Sequence, residues 1–253
     1  MMRIVMFYVS ILFSLSAKAQ PWKKPDTMKV AIDSNAYKFS YKKLIVPSVL
    51  ISYGTLSLVS DNLKEINTHT RHEVREHFIA GAIIDNYMQY APAVAVYGLN
   101  IAGIKGKHNF KDRTIIYATS QLITSAIVLP TKRIIGEERP NGSNNLSFPS
   151  GHTATAFSSA HFMFREYKDS NFWLGISGYP IAAATGIYRV LNDKHWVGDV
   201  VAGVGVGILS TEIAYWLFPT ISKWLSPNNS KNSMAIMPLY QSKQIGLTIL
   251  KTF

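Results

Sequence analysis

Long stretches without a charged residue recur along the chain and constrain its fold more than any other feature. Four of them are 17 to 19 residues long, and a fifth continues past Glu212 to about residue 221; they begin at residues 44, 86, 114, 171 and 200. A helix needs about 20 apolar residues to cross a bilayer, so each stretch is either a marginal membrane span or a buried helix. Small residues, as in AGVGVG at 202–207, let such helices approach closely. We therefore predict an all-α fold, a compact helical bundle.

The composition does not decide whether this helical bundle lies in a membrane or in water. Charged residues make up 16% of the chain, well below the roughly 25% of ordinary soluble domains. The mean hydropathy is only +0.08, which is low for a chain dominated by long membrane spans. Both a membrane protein and a compact domain with a very apolar core remain compatible with these values.

The charge balance favours an anionic partner. The net charge is +11, from 26 Lys and Arg against 15 Asp and Glu, which suits an anionic lipid surface or a phosphorylated substrate. The basic residues are scattered and form no nucleic-acid-binding module, so we predict no nucleic acid as a partner. The absence of cysteine excludes disulfides, thiolate zinc sites and cysteine nucleophiles.

The two ends of the chain differ from its centre. Residues 1–19 combine Arg3, an apolar run and the small-x-small sequence Ala17-Lys18-Ala19, which is typical of a signal peptide; an uncleaved anchor helix is the alternative. We interpret residues 20–43 as a polar, Lys-rich lead-in, 44–222 as the helical domain, and 223–253 as a C-terminal tail. The partly alternating pattern after 240 predicts either a short strand or a loose tail.

A polar segment with charges of alternating sign lies between the first two apolar stretches. It contains His69, His72 and His77, but no carboxylate–histidine spacing typical of a metal site. We therefore predict a solvated or interfacial helix here, and no metal.

Three polar segments elsewhere suit one ligand. They are Lys132 followed by Arg139-Pro140, then Pro149-Ser150-Gly151-His152, then Arg189, His195 and Asp199. Two guanidiniums and an ammonium suit a tetrahedral oxyanion. Ser150 is a candidate N-cap and Gly151 allows close backbone approach, so a helix beginning here would offer free N–H groups to an anion.

Two histidines and an aspartate add reactive groups to this anion-binding set, which we call the cradle. His195 and Asp199, four residues apart, are predicted to share a helix face, where the carboxylate holds one ring nitrogen and leaves the other free as a nucleophile. His152 is then available to protonate a leaving oxygen. This set forms a phosphoryl-transfer site that needs no metal or other cofactor.

The segments KRIIGEERP, PSGH and YRVLNDKHWVGD resemble the three-part signature of the type 2 phosphatidic acid phosphatase (PAP2) and vanadium haloperoxidase superfamily. The resemblance implies a bundle of about six core helices with the active site at one end. It implies that His195 attacks phosphorus, Asp199 orients His195, and His152 protonates the leaving group. The phosphoryl oxygens would be bound by Lys132, Arg139, Ser150, Gly151 and Arg189. Vanadate is expected to inhibit such an enzyme.

One position departs from the family. Tyr188 stands before Arg189, where members usually have Ser, and this puts the geometry around the catalytic pair in doubt. The charged neighbours Glu137, Glu138 and Asp193 are predicted to be solvated, with tuning of His195 as the alternative.

The family allows several activities. Only eight residues separate Pro140 from Pro149, which resembles the membrane lipid phosphatases more than the secreted acid phosphatases. We therefore predict dephosphorylation of a lipid-linked monoester or diphosphate: phosphatidic acid, phosphatidylglycerol phosphate, a polyprenyl diphosphate or lipid A. The alternatives are a non-specific periplasmic acid phosphatase, a vanadate-dependent haloperoxidase, and an envelope protein that binds phospholipid without turnover.

The location follows from the positive-inside rule. If all the apolar stretches span, the Lys-rich lead-in and the loop with Lys105, Lys107 and Lys111 are cytoplasmic, and the three motifs face the periplasm. A cleaved signal peptide would invert this, unless 44–60 does not span or the domain rests on the membrane surface. We predict a bacterial cell-envelope protein, either in the inner membrane with a periplasm-facing site or periplasmic after cleavage; the oligomeric state stays open.

Overall fold

The computed structural model describes residues 37–77, 81 and 83–225, and the backbone of residues 234–241 and 244–251. The predicted signal peptide or anchor, residues 1–19, and most of the predicted lead-in lie outside these described residues. The domain limits 44–222 and 223–253 therefore stay predictions.

The described part of the chain contains nine helices and two strands. The helices are α1 (Lys42–Leu56), α2 (Asp61–His77), α3 (Asp85–Met88), α4 (Ala91–Ile101), α5 (Phe110–Ile135), α6 (Gly151–Tyr167), α7 (Phe172–Ile176), α8 (Gly178–Leu191) and α9 (Val197–Leu225). The strands β1 (Met234–Gln241) and β2 (Gln244–Lys251) pair antiparallel, with Met234 opposite Lys251. The prediction of an all-α helical domain is confirmed, and the alternating pattern near the end belongs to a two-stranded hairpin.

Local sequence signals explain where the long helices begin and end. Asn109 caps α5 by accepting a hydrogen bond from the Asp112 backbone N–H, and α5 ends at Gly136, whose φ of 63° lies in the left-handed region that favours glycine. Ser150 caps α6 in the same way through the Thr153 N–H, as predicted. Gly136 and Ser150 thus fix the two helix ends that border the first and second polar segments.

Two of the predicted stretches are broken rather than continuous. The stretch 86–104 divides into α3 and α4, with Pro92 in the first turn of α4, where its missing N–H costs nothing. The stretch 171–188 divides into α7 and α8, and Asn171 caps α7. The break between α3 and α4 leaves α3 free to contact α8 and α6 beside the polar segments.

Helix α6 lies at the centre of the bundle and packs against α4, α5, α8 and α9. Its approach to α9 is close because a Cβ added to Gly207 would lie only 2.3 Å from the Ala154 carbonyl oxygen. The largest buried cluster is aromatic and aliphatic, and Val96, Ile116, Phe162, Tyr215 and Phe218 belong to it. This core holds the C-terminal half of α6 in position.

The two ends of the bundle have different chemistry. Helix α6 begins among the three polar segments, at what we call the site end, and finishes at Tyr167, at what we call the opposite end. At the opposite end the buried Glu166 accepts hydrogen bonds from His108 Nδ1 (2.5 Å) and from the Tyr215 hydroxyl (2.9 Å). A buried carboxylate satisfied in this way stabilises the turn between α4 and α5.

Helices α5 and α9 are each long and apolar enough to cross a membrane. Helices α1 and α2 pass the same criterion as a pair, but the chain bends by 84° between them. The polar helix predicted from the alternating charges is α2, and it continues from α1 at the site end of the bundle.

Candidate active site

The three polar segments meet at the site end, each on a different element. Lys132 lies in the last turn of α5 and Arg139 in the loop that follows. Ser150 and Gly151 form the start of α6, and His152 follows them in its first turn. The third segment supplies three positions: Arg189 in the last turn of α8, His195 in the next loop, and Asp199 in the first turn of α9.

Backbone hydrogen bonds tie these segments to one another. The Ser150 N–H donates to the Asp199 carbonyl oxygen at 3.0 Å, and the Asn141 N–H donates to the Asp193 carbonyl oxygen at 3.1 Å. The Ser147 N–H donates to the Glu137 carbonyl oxygen at 2.9 Å. Because main-chain bonds join all three segments, their relative positions do not depend on flexible side chains alone.

His195 and Asp199 are in contact, but not across a helix face as predicted. Helix α9 begins at Val197, so His195 precedes it, and the Trp196 N–H donates to Asp199 Oδ2 at 2.9 Å in the manner of a cap. His195 Nδ1 still lies 3.3 Å from Asp199 Oδ2. The carboxylate therefore holds Nδ1 and leaves Nε2 free, although the local geometry is a helix start and not a helix face.

Ser147 also contacts this pair, which the sequence did not indicate. Its fully buried hydroxyl donates to Asp199 Oδ2 at 2.5 Å and lies 3.4 Å from His195 Nδ1. Family members usually have a serine at the position of Tyr188, whose side chain here is half-buried on α8. In this chain a serine hydroxyl reaches the pair from the loop just before the second segment instead.

Helix α3 contributes two partners that the sequence analysis also missed. Asn86 Oδ1 lies 2.9 Å from His152 Nε2, and Asp85 Oδ2 accepts from Arg189 Nη1 at 2.8 Å. Asp85 is buried, with 1% of its surface exposed. The only signal for them in the sequence is a polar pair at the start of an uncharged stretch.

The three cationic side chains, Lys132, Arg139 and Arg189, can still donate N–H groups to a ligand. Lys132 Nζ donates to the carbonyl oxygens of Leu146 and Ser147, at 2.6 and 2.9 Å. Among the described residues, the Nε–H groups of Arg139 and Arg189 are buried and find no hydrogen-bond acceptor. Buried guanidinium N–H groups are costly to leave unpaired, so this arrangement suits a bound oxyanion.

The cations and burial set the charge states of the histidines. Burial and the positive charges of Arg189, Arg139 and Lys132 together lower the pKa of His152 to about 4, against the attraction of Asp85. Burial also lowers the pKa of His195 to about 4, although Asp199 opposes this shift. Both rings are therefore neutral at neutral pH.

Glu137 contradicts the expectation that it is solvated. The carboxylates of Glu137 and Asp199 are neighbours, and Glu137 Oε2 and Asp199 Oδ1 are both buried with no hydrogen-bond donor among the described residues. Two carboxylates can share a hydrogen bond only if one is protonated. Burial and the neighbouring Asp199 raise the pKa of Glu137 to about 9, so Glu137 carries that proton.

Asp193 is also buried rather than solvated. Arg75 of α2 donates from Nε to Asp193 Oδ2 at 2.6 Å and from Nη2 to the Pro140 carbonyl oxygen at 3.4 Å. Arg71, one turn earlier, lies over the Trp196 ring at 5.6 Å. Helix α2 thus holds the loop that carries His195 in place. The third charged neighbour, Glu138, is exposed as expected.

The histidines of α2 lie away from this chemistry. His69, His72 and His77 are exposed, which fits the predicted solvated helix. Within the described ranges, no group of three or more His, Asp or Glu side chains is placed to hold a metal ion.

Comparisons with known proteins find similarity over the region that contains the three polar segments. The sequence profile of the PAP2 superfamily matches residues 113–223, which include all three polar segments. The chain belongs to the PAP2 superfamily. The PAP2 match ends within the last turn of α9, at Lys223.

Several curated relatives share the same region. A lipid A 1-phosphatase of Porphyromonas gingivalis is 34% identical over 179 residues, which is 68% of this chain and 37% of that protein. A lipid A 1-phosphatase of Helicobacter pylori is 30% identical over 106 residues, 38% of this chain and 53% of that protein. The bacitracin transport permease protein BcrC of Bacillus licheniformis is 37% identical over 76 residues, 30% of this chain and 36% of that protein. The chain thus spans only about a third to a half of the length of these relatives.

Two solved structures are similar in fold. One is Aquifex aeolicus LpxE, at 18% identity and a TM-score of 0.45, covering 59% of this chain and 94% of that one. The other is a transmembrane PAP2-type phosphatidylglycerolphosphate phosphatase from Bacillus subtilis, at 17% identity and a TM-score of 0.42, covering 73% and 99%.

Proposed function

We propose that the protein is a phosphatase that removes a phosphate from a phosphorylated lipid, by transfer to His195 and without a metal. The proposal rests on one observation. The imidazole of His195, which Asp199 contacts, the imidazole of His152 and three cationic side chains lie together at the site end of the bundle. Membership of the PAP2 superfamily supports it.

The nucleophile in this proposal is His195 Nε2. With Nδ1 facing Asp199, the proton of the neutral ring lies on Nδ1 and the lone pair on Nε2. Nε2 attacks phosphorus, a P–N bond forms, and the bond from phosphorus to the leaving oxygen breaks. Asp199 and Ser147 hold the ring while it becomes positively charged.

The phosphoryl oxygens are bound by Lys132, Arg139 and Arg189, together with Ser150 and the Gly151 N–H at the start of α6. The unpaired Nε–H groups of both arginines and the capped helix start support this assignment. The cradle neutralises charge that builds up on the three oxygens during transfer.

His152 is the proposed acid and then the base. It gives a proton to the leaving oxygen, and later takes one from the water that attacks phosphorus and releases His195. The three cations lower the pKa of His152, so a bound phosphate dianion among them raises it again. The substrate itself therefore supplies the charge that lets His152 hold a proton.

The substrate class follows from the relatives and from an apolar cavity. Two of the relatives are lipid A 1-phosphatases, so we propose the 1-phosphate of lipid A, or of a lipid of that kind, as the first candidate. A cavity of about 430 Å³ beside the third segment is lined by apolar side chains such as Val74, Phe157, Ile187 and Val200. Such a cavity suits an acyl chain better than a water-soluble ester.

We propose that residues 44–222 form the phosphatase domain and that it lies in the bacterial inner membrane with its site facing the periplasm. The two apolar helices α5 and α9 support membrane insertion. Lys105 and Lys107 lie in the loop before α5, at the opposite end, which suits a cytoplasmic position.

The test is phosphate release by the purified full chain without divalent metal, from a panel of lipid and water-soluble phosphates. We expect release from the lipid phosphates, and its loss in His195→Ala and in His152→Ala but not in His72→Ala, an exposed control on α2. Parental rates in either site variant contradict the assigned roles. A preference for water-soluble esters indicates an acid phosphatase instead.

Two further readouts separate the remaining alternatives. Orthovanadate is expected to inhibit the protein; a gain of bromide oxidation would show a haloperoxidase on the same cradle. Rapid quenching after mixing with labelled substrate is expected to trap an acid-labile phosphohistidine. Tight lipid binding with neither product nor intermediate would show a binding protein.

A further inference from the structure

A second charged cavity lies at the opposite end of the bundle. Its volume is about 290 Å³ and it opens between α1, α6, α8 and α9. Its polar lining consists of Lys42, Lys43, His161, Arg165, Lys168 and Glu212, together with the hydroxyl-bearing Tyr179. On α6, His161 is nine residues beyond His152, so the floor of this cavity is about 13 Å along the axis from the proposed active site.

The charges in this cavity do not balance. Glu212 is its single carboxylate, and it is already shared by Arg165 Nη1 at 2.5 Å, His161 Nε2 at 2.8 Å and Lys43 Nζ at 3.2 Å. Lys42 and Lys168 line the same cavity without a contact to Glu212 in the described ion pairs; Lys168 lies 3.5 Å from Asp169 at the rim. Four basic side chains thus face one buried carboxylate, and an anion would be attracted there.

Burial strengthens the attraction of this positive charge for an anion. Arg165 and Glu212 are 5% and 3% exposed, so the floor of the cavity is shielded from water. The Arg165 guanidinium also lies over the Tyr215 ring at 4.0 Å, which fixes its position. A charge attracted to such a partly buried cluster is screened less by salt than one at an open surface.

The remaining walls of the cavity are apolar. Val46, Pro47, Phe164 and Ile208 line it beside the basic residues. Outside it, Ile45 and Val49 of α1 are 61% and 62% exposed, which leaves an apolar surface next to the cavity mouth. The cavity is therefore basic on one side and continuous with an apolar surface on the other.

We propose that this cavity binds the phosphate headgroup of an anionic phospholipid, whose acyl chains lie against α1. A soluble anion would not contact the apolar surface. A phospholipid matches both the basic side of the cavity, through its phosphate, and the apolar surface, through its acyl chains. Basic pockets between helices at the cytoplasmic side are where anionic headgroups bind membrane proteins. The lipid would belong to the leaflet on the far side from the proposed active site, and its binding does not depend on the reaction proposed there.

The experiment measures the melting temperature of the purified full chain in neutral detergent with added lipid. Phosphatidylglycerol is expected to raise it by about 5 °C at roughly 100 times its Kd, and zwitterionic phosphatidylethanolamine to leave it unchanged. In the double variant Lys42→Gln/Lys168→Gln most of that rise is lost. Arg165 and Glu212 are left unchanged, because removing one partner of a buried ion pair destabilises the fold.

The matched control is Lys105→Gln/Lys223→Gln, which removes the same charge from exposed positions at the same end. It is expected to keep the full response to phosphatidylglycerol. Equal responses in the two double variants would overturn the proposal, since only general charge would then matter. A response to inorganic phosphate that is lost in Lys42→Gln/Lys168→Gln would also overturn it, because the cavity would then bind a small anion and not a lipid.

Discussion

At the scale of single residues, the proposed nucleophile depends on side chains to which the family resemblance assigns no role. Ser147 donates its hydroxyl proton to Asp199 Oδ2. The neighbouring Glu137, whose raised pKa keeps it protonated, can donate a carboxylic acid proton to the same carboxylate. The orientation of His195 thus depends on how well Asp199 is itself held.

Replacing Ser147 by alanine removes the hydroxyl that donates to Asp199 Oδ2. A hydrogen bond to a charged group is worth about 1.5–3 kcal/mol, so we expect kcat to fall by about 10- to 100-fold. Steady-state phosphate release measures this, with Ser143→Ala, at an exposed position of the same loop, as the control. Parental kcat in Ser147→Ala would show that Trp196 N–H and Glu137 suffice to hold the carboxylate.

Replacing Glu137 by glutamine tests the shared proton. Because the folded state raises the pKa of Glu137 from 4.5 to about 9, the folded chain binds a proton that the unfolded chain loses as the pH rises. The parent therefore loses stability between these pH values. Glutamine offers an N–H to Asp199 at every pH, so its variant keeps that stability.

We expect the melting temperature of Glu137→Gln to exceed that of the parent by a margin that widens from pH 5 to pH 9. The control is Glu138→Gln, which changes an exposed neighbour. A margin that is constant with pH, or as large in Glu138→Gln, would contradict a proton shared between Glu137 and Asp199.

At the scale of elements, close packing of α6 against α9 holds the second and third segments together. A Cβ on Gly207 would lie 2.3 Å from the Ala154 carbonyl oxygen and 2.8 Å from the Ser158 N–H nitrogen. Both are backbone atoms and cannot move aside. A glycine at position 207 is therefore a requirement of this interface.

Gly207→Ala is expected to destabilise the protein by about 1–3 kcal/mol or more, because it forces α9 away from α6. Gly98→Ala is the matched control, since Gly98 is an exposed residue of α4 with no atom within 4 Å of an added Cβ. Thermal unfolding should show a fall in melting temperature for the first and no fall for the second. Equal melting temperatures would contradict the close contact.

At the scale of the whole molecule, the proposed active site and the basic cavity occupy opposite ends. The loop containing Ser143 lies at the site end, and the loop containing Lys105 lies at the other end. If the bundle spans the inner membrane as proposed, these two loops face different compartments.

The chain contains no cysteine, so single cysteines can report this directly. Ser143→Cys is expected to react with a membrane-impermeant maleimide added from the periplasmic side. Lys105→Cys should react only after the inner membrane is disrupted. Labelling of both from the periplasmic side would show that the domain does not span, and the reverse pattern would invert the proposed orientation.

The sequence by itself determined the helical class and the approximate positions of α1, α5 and α9, because long uncharged stretches can be buried only as regular structure. It also placed the Ser150 cap and all eight residues proposed for the site, because their types and order suit a single anion. These are local properties, which a residue carries whatever its neighbours in space.

Only the tertiary structure decided which other groups reach that site. Asp85, Asn86, Ser147 and Arg75 come from elements distant in the chain, and no spacing in the sequence links them to His195 or Arg189. The sequence also suggested solvated roles for Glu137 and Asp193, yet both are paired in the fold. Charge and burial depend on what packs against a side chain. They are therefore decided by where α2, α3 and the α5–α6 loop lie in the fold.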